Sequence, residues 1–134
     1  MADQTNARYD LDYSEGQVLE YEAAEAIFGG ELVSVAHTGA NRNKAYKAGD
    51  EANRTFAGYA LTGGLVGQKV RVRRQGVITV DTQVDMTAVV RGTALSAEDS
   101  QTVDTTANAT SKVAVGVLVE ALSATKARVR ISGI

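Results

Sequence analysis

One pattern constrains this chain more than any other, and it occurs twice. In the first copy, Phe56-Ala57-Gly58-Tyr59-Ala60-Leu61 sets a glycine inside an apolar run. A turn rich in glycine follows (Gly63, Gly64, Gly67), and then Val70 and Val72 alternate with Lys69, Arg71 and Arg73. Alternation at period two marks a strand with one face buried and the other in water. In the second copy, Val115-Gly116-Val117-Leu118-Val119 repeats the glycine-centred run, and Ala127-Arg128-Val129-Arg130-Ile131 repeats the alternation. Gly76 closes the first copy and Gly133 the second. Gly30-Glu31-Leu32 leads into one copy as Gly92-Thr93-Ala94-Leu95 leads into the other, with a polar loop after each. The chain reads as an internally duplicated β unit.

The segments around the two copies agree. Leu32, Val33 and Val35 make a strand, Ala45, Tyr46 and Ala48 a short one, and Val77, Ile78 and Val80 another. The spacing predicts a further strand over Val84–Val90 and a weak one at Thr102-Val103. Glu20 to Phe28 reads two ways: Ala and Glu favour a helix, while Leu19, Tyr21 and Ala23 fit alternation. Many short strands between turn signals predict an all-β barrel or sandwich. Its expected core includes Phe56, Tyr59, Leu61, Val70 and Val72.

A length of 134 residues suggests one domain, large enough to hold a core without staples. We divide the chain into an extended N-terminal arm, residues 1–17, and a single β domain, residues 18–134. No cysteine is present, which excludes disulfides and Cys-ligated zinc. The N-terminus lacks a basic stretch followed by an apolar one, and no apolar run is long enough to span a bilayer. A soluble protein made in a cytoplasm is expected.

Charge is unevenly placed. Through Phe28, seven acids (Asp3, Asp10, Asp12, Glu15, Glu20, Glu22, Glu25) stand against Arg8 alone. Within this stretch Tyr9, Leu11 and Tyr13 alternate with Asp10 and Asp12, a short strand pattern with an aromatic edge. It suits either the first strand of the domain's own sheet or an arm that docks on a neighbour. Lys69, Arg71, Arg73 and Arg74 form the strongest basic cluster, joined by Arg128 and Arg130 if the copies pack symmetrically. A solvated strand face and a protein contact are both open readings. Nucleic acid is disfavoured, because no aromatic residue alternates with the bases to stack on them.

Catalytic motifs are missing. His37 is the only histidine and lies in a polar stretch. Neither HExxH, nor a calcium loop, nor GxSxG occurs. Thr62-Gly63-Gly64-Leu65-Val66-Gly67-Gln68-Lys69 imitates a phosphate loop, but its glycines are misplaced and Val70 stands where a hydroxyl is needed. No enzyme, cofactor or metal is expected.

The order of these pieces resembles the small head-decoration (cement) proteins of tailed bacteriophages, a β-domain family. The matching stretches are Ala26-Ile27-Phe28-Gly29-Gly30-Glu31-Leu32-Val33, Phe56–Leu61, Gly67-Gln68-Lys69-Val70-Arg71-Val72 up to Gly76, Val115–Ala121 and Ala127–Ile131. The resemblance covers roughly residues 18 to 134. The family's proline-containing turns are missing here. It implies a compact β domain that binds outside an expanded icosahedral capsid as a trimer or dimer and holds major capsid protein subunits together. Virion location, no nucleic acid, no membrane and no catalytic centre follow from it. Candidate contacts are then the arm (Tyr9, Asp10, Leu11, Asp12, Tyr13) for capsid, and the basic face (Lys69, Arg71, Arg73, Arg74, Arg128, Arg130) for oligomer or capsid. The rival reading is a carbohydrate- or receptor-binding module of a phage fibre, with a single-strand nucleic-acid binder behind it.

Overall fold

The computed structural model describes residues 18–49, 54–109 and 113–133. All ten elements are strands: β1 (Val18–Glu22), β2 (Leu32–Ala36), β3 (Ala45–Lys47), β4 (Arg54–Ala60), β5 (Lys69–Arg73), β6 (Gln75–Thr82), β7 (Ala94–Ala97), β8 (Thr102–Thr105), β9 (Ala114–Ala121) and β10 (Lys126–Ser132). They form a five-stranded sheet in the order β1-β5-β4-β2-β3 and a closed barrel in the order β10-β6-β8-β7-β9. Read from β6, the barrel runs β6-β10-β9-β7-β8, so each half places its five strands in the same order.

The duplication extends to single residues. Val33 pairs with Gly58 and Ser34 with Phe56, which leaves Ala57 as a bulge; Leu95 pairs with Gly116 and Ser96 with Ala114, which leaves Val115 as the matching bulge. The N–H of Gly30 donates to the Ala60 carbonyl and that of Gly92 to the Leu118 carbonyl, each at 2.8 Å. Both glycines have positive φ, 92° and 87°. Closure differs between the halves. In the second, β6 and β8 pair in parallel at Asp81–Thr102 and Thr82–Val103; in the first, the corresponding seam has, among the described residues, the isolated parallel bridge Ala23–Ala45 in place of a paired strand.

Two glycines let each half curl. A Cβ at Gly58 would lie 2.2 Å from the Arg73 carbonyl oxygen, and one at Gly116 would lie 1.9 Å from that of Arg130. Bulges beside them bend the strands further, as tight sheets require.

Apolar side chains then fill two cores. Val33, Val35, Ala57, Val70 and Val72 line the first half with Ile27. Leu95, Val103, Val115, Leu118 and Val129 line the barrel, together with Met86. Leu32 and Phe56 belong to the first half yet join the barrel core, at 1 % exposure each. Burying such a pair contributes about 3–6 kcal/mol against leaving both exposed, so the halves are bonded through their cores. Polar contacts reinforce the join. Leu32 N–H donates to the Ser100 carbonyl at 2.7 Å, and the Ser100 hydroxyl donates to Glu31 at 2.7 Å.

Several expectations change. Residues 20–28 contain no helix; β1 takes the alternating reading, and the chain then turns irregularly towards β2. Val84–Val90 is a loop instead of a strand. Asp85 accepts the Thr87 N–H at 2.9 Å and so turns the backbone, while Met86 drops into the core and Val89 packs half-buried against it. Leu61 is exposed, because the chain leaves β4 at Ala60 and the Leu61 N–H turns to the Arg71 carbonyl as the hairpin begins. Tyr59 is half-buried on the barrel core, and Phe56, Val70 and Val72 are buried as expected.

The close approaches give a prediction. Gly58→Ala and Gly116→Ala should each destabilise by about 3 kcal/mol or more, because a backbone oxygen cannot yield. Thermal midpoints lower by about 10 °C are expected. Gly49→Ala, which meets no atom within 4 Å, is the control and should melt near the parent.

Candidate functional site

Three surface features are candidates for function: an outward charge ladder, an arginine cleft and an apolar rim. The ladder follows from alternation and register. Lys69 and Arg71 on β5 face Glu22 and Glu20 on β1. Lys126 and Arg128 on β10 face Asp81 on β6 and Glu120 on β9. Two of these pairs are closed ion pairs, Lys126–Asp81 at 2.7 Å and Arg128–Glu120 at 2.8 Å, while Glu22 turns to Lys44 at 3.1 Å. All are solvent-exposed, so each is worth well under about 1 kcal/mol. The basic residues therefore do not present a continuous positive face along either strand.

The last arginine of each strand differs. Arg73 stands across from Val18 and Tyr59, and Arg130 across from Val77 and Val117. The Arg73 guanidinium lies against Gly76, where a Cβ would come within 2.4 Å of it, and its Nε donates to the Gln75 carbonyl at 3.0 Å. Arg74 Nε donates to the Gly133 carbonyl at 3.3 Å, and the Gly133 N–H returns to the Arg74 carbonyl. Gln75, Gly76, Arg130, Ile131 and Ser132 border a half-open cleft of about 320 Å³. Of the six basic candidates, the structure thus gathers Arg73, Arg74 and Arg130 around one turn, and leaves Lys69, Arg71 and Arg128 on the ladder. Tyr9, Asp10, Leu11, Asp12 and Tyr13 lie outside the described residues.

The apolar rim was not visible in the sequence. Ile27 and Gly64 exchange both backbone hydrogen bonds, at 2.9 and 2.8 Å, and so tie the β1–β2 connection to the β4–β5 hairpin. Phe28 (61 % exposed), Leu65 (63 %) and Val66 (69 %) stand out from this junction with Leu61. The hairpin needs its glycines: Gly67 has φ 86°, and Gln68 fastens Leu65 through side chain and backbone. The apparent phosphate loop is this turn. In the second half Val90 occupies the place of Phe28, and it is exposed together with Val84 and Leu122. Exposed apolar side chains thus occur in both halves, but among the described residues the second half has no counterpart of the Ile27–Gly64 bridge that gathers them in the first.

Glu31 is the buried carboxylate nearest a cavity. Its Oε1 accepts the Phe28 N–H at 2.7 Å and its Oε2 the Ser100 hydroxyl, with Lys47 Nζ at 3.8 Å. The adjoining cavity of about 260 Å³ runs between Phe28–Leu32 and Thr79–Asp81. Both carboxylate oxygens are already engaged, Oε1 within its own half and Oε2 across to Ser100, so Glu31 reads as a fastening. His37 bonds to Thr55 on the surface. Among the described residues no group of three His, Cys, Asp or Glu side chains could hold a metal ion, and no helix is long and apolar enough to cross a membrane.

No family model matches the chain, and no curated protein matches it.

One ionisation is set by the fold. Burial holds the Tyr21 phenol above its ordinary pKa, and the positive charge of Arg74 offsets part of that rise. A raised pKa favours the neutral phenol in the folded state. Its stability contribution is complete below the ordinary value of 10.0 and is lost as pH climbs through the folded value. Urea midpoints taken from about pH 9 to about pH 12 should fall less steeply for Tyr21→Phe than for the parent. Parallel curves would mean the phenol titrates alike in both states.

Proposed function

We propose that this protein is a structural component of a bacteriophage virion, binding the outside of the expanded capsid and tying neighbouring major capsid protein subunits together. The observation that carries the reading is the apolar rim at the Ile27–Gly64 junction, with Val84, Val90 and Leu122 exposed on the second half as well. A chain built from two halves of the same strand order offers exposed apolar side chains on both, which suits a partner that is itself repeated, as a capsid lattice is. Exposed Phe, Leu and Val on turns pinned by backbone hydrogen bonds lose little entropy when covered. Linked contacts gain from effective concentration, so modest single contacts add up to firm attachment. The charge ladder supports the same reading, because bases paired with acids in register give a poor track for phosphates. The sequence resemblance to cement proteins adds to it.

Under this reading the protein acts as a homotrimer, with a homodimer as the alternative, and without catalytic chemistry. The segment Tyr9–Tyr13 supplies a further contact, and aromatic anchors of this kind dominate interface energies.

The test is co-sedimentation with expanded, undecorated heads of the parent phage. Phe28→Ser with Leu65→Ser, and separately Val90→Ser with Leu122→Ser, should each weaken binding roughly tenfold or more while the melting curve stays near that of the parent. Parent-like affinity in both double variants would remove the rims from the interface. A parent protein that stays in the supernatant would remove the capsid.

A further inference from the structure

We propose that the open edge of β6, in the cleft between the two halves, receives an extended, uncharged segment of the major capsid protein as an added strand. This deepens the capsid reading and rests on it. Register reveals the edge. β6 pairs with β10 along its whole length, Gln75 to Thr82. The Gly133 N–H donates to the Arg74 carbonyl and the Thr82 N–H to the Thr125 carbonyl, so the even-numbered residues of β6 turn their backbone groups to β10. The odd-numbered residues turn theirs away. On that side, among the described residues, β8 reaches Asp81 and Thr82 and no further. The outward N–H and C=O groups of Val77 and Thr79 therefore have no strand beside them among the described residues. Such an edge is a template for another extended chain.

The cleft gives this edge a second wall. Ahead of β8 the chain leaves β6, and the Ser100 carbonyl accepts the Leu32 N–H at 2.7 Å instead. Phe28–Leu32 thus stands across from Thr79–Asp81, with a cavity of about 260 Å³ between them and Gln101 at its border. A cleft of this volume admits a single extended segment and excludes a strand with its own sheet behind it, as any described strand of a second copy would have. The acids at the cleft are already matched. Glu31 holds the Phe28 N–H and the Ser100 hydroxyl with Lys47 at 3.8 Å, and Asp81 holds Lys126 at 2.7 Å. A charged residue entering there would lose water without gaining a partner, so the segment is uncharged. Phe28 belongs both to the cleft wall and to the exposed rim. A capsid subunit that covers the rim therefore passes the open edge, and its segment sets an apolar side chain against Phe28.

Residue-resolved hydrogen exchange of the full chain, free and bound to expanded undecorated heads, tests the slot. In the free protein the amides of Val77 and Thr79 should exchange roughly tenfold or more faster than those of Ile78 and Val80, which turn to β10. On heads, Val77 and Thr79 should slow by roughly tenfold or more. Thr79→Pro removes one outward donor and no bond to β10, a change that an open strand edge tolerates. It should weaken co-sedimentation roughly tenfold, with a melting curve near that of the parent. Slow exchange at Val77 and Thr79 in the free protein, at any protein concentration, overturns the proposal, because the edge is then already taken. Parent-like binding by folded Thr79→Pro overturns it too. If that variant fails to fold, exchange in the parent decides alone. A parent that binds heads while Val77 and Thr79 exchange as in the free protein overturns the slot and leaves the capsid reading standing. A parent that does not bind heads overturns both.

Discussion

The structure depends on a pair of close approaches. At Gly58 and Gly116 a neighbouring strand's carbonyl comes nearer than any side chain permits. Each glycine stands beside a one-residue bulge, at Ala57 and Val115. Together they let five short strands curl tightly enough to enclose a core of Val, Ala and Leu. Curling also decides what is left outside. Once the inward positions are filled, the turns that join the strands at the Gly64 junction carry Phe28, Leu61, Leu65 and Val66 into solvent.

Duplication is the second organising fact, and its asymmetries are as informative as its repeats. Strand order, bulges and the glycine turns at Gly30 and Gly92 repeat closely. Closure does not. The barrel pairs β6 with β8, while among the described residues the first half has at the corresponding seam the isolated bridge Ala23–Ala45. Leu32 and Phe56 reach from the first half into the barrel core, where their counterparts Ala94 and Ala114 are small and exposed. The first half has become the wedge and the second the socket. That difference makes the two halves one body without removing their shared outer surface.

Much of this was legible in the residues, for a physical reason. Alternation of Val with Lys or Arg at period two survives in β5 and β10 because each has one wet face. The twin glycines and the closing Gly133 were visible because backbone crowding leaves no other residue type, and Gly76 because its φ of 124° favours glycine. What could not be read depends on register or on tertiary contact. Val84–Val90 looks like a strand, yet only Met86 and, in part, Val89 turn inward, and Asp85 bends the chain. Leu61 looks like core until the hairpin turns it outward. The six basic residues look like one patch; only the pairing of β5 with β1 and of β10 with β6 and β9 shows that acids interleave all but the end of each strand. The rim at Phe28 and Leu65 escaped notice because residues far apart in the chain meet there through the Ile27–Gly64 bridge.

The central proposal is that exposed apolar side chains on a duplicated β body hold capsid subunits together. Heat disruption of expanded heads measures this directly. Undecorated heads are titrated with the purified protein, and the temperature at which they release DNA or fall apart is followed with the number of copies bound. The account predicts saturation at a fixed number of copies per major capsid subunit, with a disruption temperature that rises in step with occupancy. Saturable binding with an unchanged disruption temperature, or no saturable binding, would contradict it.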